Sequence, residues 1–266
     1  MVHLNSKASF YDGRSSIRSG FTIVELLVVI GIIAVLISIL ISGITKARKS
    51  AETVYCLNNQ RVLIQASLMF AKDNRGMMPY TTWGHAEKVD SWCFYFQPAA
   101  ISGNSQGFVG KQDEVKTGQL WNYLQKYESY RCASDKGPWT AGSIMNLSSY
   151  CMNGAISGFS TNGGTNRSFN IDQFKGKSGV FFETPMTKAS GNPANDATNY
   201  PPEGVSARHK HGTTVSYIDG SANVLSSDEY IEACQAGPSV LWCDPSAKDG
   251  GRSKYTRSVT NIPIQE

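Results

Sequence analysis

Between Phe21 and Ile44 the sequence lacks lysine, arginine and proline altogether. That absence removes the residues that break a helix or keep it in water. Charge is scarce in the whole chain, at 17%, and no long run of one sign breaks the mild net charge of +4. A nucleic-acid binder concentrates lysine and arginine on one face or helix, so that class is excluded as a reading, and the basic excess serves solubility. No two of the six cysteines stand as C-x-x-C, which argues against a zinc ribbon or a thioredoxin-type site. Nor does an A-x-A-like cleavage site follow the apolar run, where the sequence continues ITKARKSAETV.

What is present suits a loop-rich, strand-rich globular part: 266 residues, with 25 glycines and 12 tyrosines, are enough to bury a core. Cys56, Cys93, Cys132, Cys151, Cys234 and Cys243 are an even set. In an oxidising compartment they allow up to three disulfides in about 15 full pairings. Short intervening loops favour Cys132–Cys151 and Cys234–Cys243. The alternative is buried, reduced thiols.

The first 20 residues are polar and carry Lys7, Arg14 and Arg18 against Asp12. Phe21 to Ile44 then reads FTIVELLVVIGIIAVLISILISGI. About 20 helical residues cross the roughly 30 Å hydrocarbon core, so this run is long enough to span a membrane. It is also longer than the apolar part of a secretory signal, roughly 7–15 residues. Glu25 sits inside the run, and a carboxylate there needs either a partner or the hydrated surface. Beyond it, Ala47, Ala51, Val54, Leu57, Ile64 and Leu68 predict an apolar stripe on a continuing helix. Asp73-Asn74-Arg75-Gly76, with Pro79 behind, predicts its stop.

The remainder is short apolar segments punctuated by glycine, serine, asparagine and proline. Residues 118–130 predict a short helix and 179–184 a buried strand. Two alternating runs, Thr213 to Ile218 and Ser221 to Leu225, flank Asp219-Gly220 and predict a β-hairpin with a type I′ turn. Residues 156–170 and 187–206 read as loops. There is no internal repeat.

Gly20-Phe21-Thr22-Ile23-Val24-Glu25, followed by the apolar run, resembles the prepilin peptidase site of type IV pilins and type II secretion pseudopilins. The resemblance implies cleavage between Gly20 and Phe21 and methylation of the new N-terminus. It implies that Glu25 pairs with the Phe21 amine of a neighbouring subunit in a filament. A second likeness, to the H-x9-DG element of a pseudopilin-like group, rests on His209 through Asp219-Gly220, with CLNNQ from Cys56 and YCMN from Tyr150. The missing helix proline tilts the resemblance towards a secretion-type or minor subunit. Lys46, Arg48 and Lys49 rival the leader's charges, so orientation rests on the peptidase motif rather than on a positive-inside count.

The expectation is therefore an α+β, pilin-like fold: one long N-terminal helix packed on an antiparallel sheet with long loops. Its parts are a cytoplasmic leader (1–20), a transmembrane half-helix (21–44), an amphipathic continuation (45–75) and an extracytoplasmic globular domain (76–266). The expected place is a bacterial inner membrane with the C-terminal domain in the periplasm. The expected partners are the membrane, prepilin peptidase and other pilin-like subunits, without nucleic acid. The competing reading is a membrane-tethered module that binds a ligand such as a glycan.

Other candidate sites are fewer. His209 and His211 beside Asp219 and Gly220 read either as a ligand or metal site or as a hydrogen-bonded hairpin. The spacing matches no zinc signature, which favours the hairpin. Asp244 and Asp249, in DPSAKDG, and Asn195-Asp196 are oxygen-rich loops that suit calcium, though without EF-hand spacing; otherwise no cofactor is expected. Gly103-Asn104-Ser105-Gln106-Gly107 matches G-x-S-x-G but lacks the strand and helix a nucleophile elbow requires. Trp83, Trp92, Trp121, Trp139 and Trp242 suit core packing more than a sugar-stacking face. No catalytic constellation is expected, and the chain reads as a non-enzyme.

Overall fold

The computed structural model describes residues 20–81, 89–96, 112–136, 147–156, 168–183, 197–254, 262 and 264–265. The chain divides into two compact units between Ala47 and Arg48.

The first unit is the N-terminal part of α1, which runs from Ile23 to Asp73. Its side chains from Phe21 to Ile44 are exposed on every side, Leu26, Ile30, Ile37 and Ile41 alike. A helix that is apolar all round is built for lipid or for a bundle of like helices, not for water. Among the described residues one helix is long and apolar enough to cross a membrane, and it is this one.

The second unit starts within the helix, so the residues from Arg48 onward share one core with the sheet. Two-residue strands β1 (Val89–Asp90) and β2 (Tyr95–Phe96) pair with each other. Strands β3 (Tyr150–Asn153), β4 (Gly179–Glu183) and β5 (Thr198–Asn199) follow, then β6 (Val205–Ser206), β7 (Gly212–Tyr217), β8 (Ala222–Ser226) and β9 (Ile264–Gln265). The main sheet has the order β5-β3-β4-β7-β8 and is mixed, with β5 parallel to β3 and the other pairs antiparallel. The fold is α+β as expected. The predicted helix at 118–130 is one short turn, α2 (Trp121–Leu124), followed by a 3-10 segment at Tyr127–Tyr130.

Strand alternation decides which residues meet the helix. Tyr150, Met152 and Phe181 join Leu63 and Ile64 of α1 in one core, where Trp92 packs edge-on to Phe181 with centroids 4.9 Å apart. Cys151, Phe182, Val215 and Tyr217 point the other way, against Tyr230 and Cys234 of α3 (Ser227–Gln235). Helix α3 opens with a capping box: Ser226 Oγ accepts from the Glu229 amide, and the Glu229 carboxylate accepts from the Ser226 amide.

Two expectations are corrected. The packed face of α1 is Thr53, Cys56, Asn59, Gln60, Leu63, Ile64, Ser67 and Ala71, whereas Ala47, Ala51 and Val54 are exposed and Leu57 and Leu68 half-buried. Polar side chains hold that face because the rest of the unit supplies partners: Asn59 Nδ2 donates to the carbonyls of Glu128 and Arg131, and Gln60 Nε2 to that of Thr214. The hairpin forms as predicted, but its loop has three residues. Gly220 N–H donates to Tyr217 O and only Gly220 (φ 83°) is left-handed, a type I turn closed by a glycine bulge. The stop of α1 holds: Gly76, at φ 83°, donates its amide to Ala71 O.

Candidate functional site

Two places carry chemistry. At the start of α1, Thr22 precedes the first helical residue, and its amide and hydroxyl each donate to Glu25 Oε2 at 2.8 Å. The Glu25 amide donates back to Thr22 Oγ1 at 3.2 Å. Phe-Thr-x-x-Glu is thus a capping box: the carboxylate that looked anomalous in the apolar run satisfies the Thr22 amide, and the Thr22 hydroxyl satisfies that of Glu25. Gly20 and Phe21 lie just ahead of it and are exposed.

In the second unit, four residues far apart in sequence converge behind the sheet. Cys56 comes from α1, Cys132 from the segment after the Tyr127–Tyr130 turn, Glu183 from the end of β4 and His209 from the turn before β7. All four are buried, and their donor atoms lie within 4.8 Å of one another. Cys56 Sγ stands 2.7 Å from Cys132 Sγ, and Cys132 Sγ stands 3.2 Å from His209 Nε2. His209 Nε2 is 2.8 Å from Glu183 Oε1. Glu183 shares the strand parity of Phe181, which turns its carboxylate towards α1.

A further ring of contacts orients these groups. Thr53 gives its hydroxyl proton to Lys49 O at 3.0 Å, so its oxygen is left to accept from His209 Nδ1 at 3.1 Å. Thr214 Oγ1 donates to Glu183 Oε1 at 2.9 Å, and the Ala133 amide donates to Cys56 Sγ at 3.2 Å. Arg208 reaches Asp135 at 3.5 Å and Glu183 Oε2 at 3.9 Å. Glu183 Oε2 is buried and accepts no hydrogen bond.

Electrostatics follow from that packing. The bond from the Cys132 thiol, with a lesser share from His209, lowers Cys56 to about 5 against the cost of burial. The same bond, then burial, pushes Cys132 far up. Burial pulls His209 down, but its bonds to Cys56 and Glu183 outweigh that and raise it to about 9.

The turn that presents His209 is strained. His209 and Gly212 exchange both backbone hydrogen bonds, and the two residues between them, Lys210 (φ 50°) and His211 (φ 59°), are both left-handed without being glycine. Such conformations gather at functional sites.

The other expected sites fall elsewhere. His211 is exposed, and Asp219 lies at the opposite end of β7, where it accepts from the Ser221 amide and hydroxyl. Imidazole and that carboxylate therefore do not converge. Asp244 Oδ1 accepts from Ser246, and Asp249 accepts from Gly251 and Ser253, so both carboxylates are engaged by donors of their own loop. No disulfide joins any of the six cysteines: Cys132 faces Cys56 rather than Cys151, whose thiol donates to Phe182 O on the sheet, and Cys234 and Cys243 are not bonded to each other. Trp92 and Trp242 are fully buried and Trp121 partly so, which makes no stacking face of them. The leader before Gly20, Trp83, Trp139, Gly103 to Gly107 and Asn195-Asp196 lie outside the described residues.

Sequence reasoning named Cys56, Cys132 and His209 but did not bring them together, and it missed Glu183 and Thr53. The available signal was Thr53, Cys56 and Gln60, polar or sulfur-bearing residues at helical spacing where an apolar stripe was expected.

Among known families, residues 16–41 match the prokaryotic N-terminal methylation motif. No curated protein and no solved structure shows significant similarity to the chain.

Proposed function

We propose that the chain is a pilin-like subunit, cut by prepilin peptidase between Gly20 and Phe21 and methylated on the new amine. The observation that carries this is a coincidence in one place: the methylation motif at 16–41 overlies an all-round apolar helix that opens on a Thr22–Glu25 capping box. The capping box fixes the helix start directly after Gly20-Phe21, the expected point of cleavage.

In this reading α1 holds the chain in a bacterial inner membrane and later packs among the same helices of other pilin-like subunits. Residues 48–266 then stand in the periplasm, on the filament surface, and the filament is a pseudopilus of the type II secretion kind. Val54, Tyr55 and Met69, exposed on the second half of α1, offer apolar surface to a neighbouring subunit. The role is structural, with no catalytic residue assigned.

Mass spectrometry of the membrane-extracted protein tests the proposal. A chain that begins at N-methylated Phe21 supports it. A chain that retains Met1 to Gly20, or is cut after Ile44, overturns it.

A further inference from the structure

We propose that Cys56, Cys132, Glu183 and His209 bind a zinc ion that fastens the second half of α1 to the sheet. The inference is independent of how the N-terminus is processed. Two sulfurs, one imidazole nitrogen and one carboxylate oxygen within 4.8 Å of one another are a donor set that suits zinc. Zinc bonds of about 2.0–2.3 Å give tetrahedral edges of roughly 3.3–3.8 Å. The observed separations, 2.7 Å between sulfurs, 3.2 Å from sulfur to nitrogen and 2.8 Å from nitrogen to oxygen, need to open by only about 1 Å.

Three observations favour an ion over chance packing or a disulfide. Burying an acid, an imidazole and two thiols together costs free energy that a shared ion offsets, and a disulfide would use the two sulfurs while leaving the His209–Glu183 pair unexplained. Glu183 Oε2 accepts no hydrogen bond although the residue is fully buried, so it has capacity for a ligand. The surrounding contacts are those of a ligand-orienting shell. Thr53 takes the Nδ1 proton of His209 and leaves Nε2 for the metal, Thr214 holds Glu183, and the Ala133 amide donates to Cys56 Sγ. A cleft lined by Thr53, Arg208 and His211 opens beside the cluster as an approach.

The charges balance. Zinc bound by two thiolates, one carboxylate and neutral imidazole carries one net negative charge, which Arg208 faces at 3.9 Å from Glu183 Oε2. Uptake releases to solvent the protons that the two thiols and the ligating imidazole nitrogen must shed to bind, with no change of oxidation state.

The test uses the full chain in detergent, purified without metal-affinity steps or chelator. Elemental analysis should find about one zinc per chain. After chelation, a cobalt(II) titration should develop thiolate-to-metal charge-transfer bands that zinc abolishes. Thr53→Val should weaken cobalt binding about 10–100-fold, as loss of a ligand-orienting contact does. His209→Ala should remove the bands. Cobalt binding by the wild-type chain decides the matter even where a variant misfolds. A folded wild-type chain that holds no zinc and gives no cobalt bands overturns the proposal, and so does recovery of a Cys56–Cys132 disulfide in place of metal.

Discussion

Thr53 Oγ1 receives the Nδ1 side of His209 at 3.1 Å while giving its own proton to Lys49 O one helical turn back. One hydroxyl on α1 thereby fixes the orientation of a ring that lies 156 positions further along the chain. Thr53→Val keeps the shape and removes the acceptor, so it should destabilise the unit by about 1–3 kcal/mol, the cost of an unsatisfied buried donor. Thr53→Ser should recover most of the loss. Thermal unfolding of the detergent-solubilised chain reads both.

At the start of α1, Glu25 has two separable attributes, a capping oxygen and a charge. Glu25→Gln keeps the capping box, since glutamine serves equally at that position. Helix content and membrane extraction should therefore be unchanged. Filament incorporation should fall if the charge pairs with the amine of a neighbouring subunit. Thr22→Val should do the reverse, fraying the helix start by about 1 kcal/mol while retaining the charge. Incorporation at wild-type levels for Glu25→Gln would remove the assembly role.

Gly118 shows how closely the second unit is packed. A Cβ there would lie 2.3 Å from the Cys93 carbonyl carbon, backbone against backbone, with no flexible side chain to yield. Gly118→Ala should cost about 2–4 kcal/mol, in the range of overpacked cores. A denaturant midpoint near that of the wild type would show that the two loops separate freely.

Phe181 and Trp92 meet edge to face at 4.9 Å with both rings fully buried. Phe181→Ala should cost about 3–5 kcal/mol. Phe181→Leu should cost less, because most of the volume is retained. Near-ultraviolet circular dichroism of the tryptophan environment checks the local effect.

At the hairpin tip, the Ser221 hydroxyl and then its amide hold the Asp219 carboxyl below the ordinary carboxylate range. The folded value is depressed, so the stabilisation is fully present above the unfolded value of about 3.9 and disappears as pH falls through the folded one. Asp219→Asn keeps an acceptor but removes the charge. The melting temperatures of the two proteins should therefore converge as pH drops below about 4. A gap unchanged down to acid pH would assign the effect to geometry alone.

Much of this was readable from the sequence where the cause is local. The long apolar run without lysine, arginine or proline and the Asn74-Arg75-Gly76 stop mark α1, and alternation around Asp219-Gly220 yields the hairpin. The phase of the second half of α1 was not readable. Its packed face is written in Thr53, Asn59 and Gln60, whose burial depends on carbonyls at Glu128, Arg131 and Thr214. Nor could the cysteine relationships be read by loop length. Cys132 lies 76 positions from Cys56, and only the fold brings the two together. The strained Lys210-His211 turn carries no glycine or asparagine to announce it.

Gln60 and Thr53 find their partners 154 and 156 positions later, in the last third of the chain. A ribosome adds about 5–20 residues per second, so α1 exists for roughly 10–30 s before those partners are made. During that interval Thr53 and Gln60 lack their later partners, and an isolated helix is marginal in water. A chaperone or the membrane surface that shields residues 48–73 would therefore act early and briefly, and its absence would be felt as lost yield rather than as a less stable final protein.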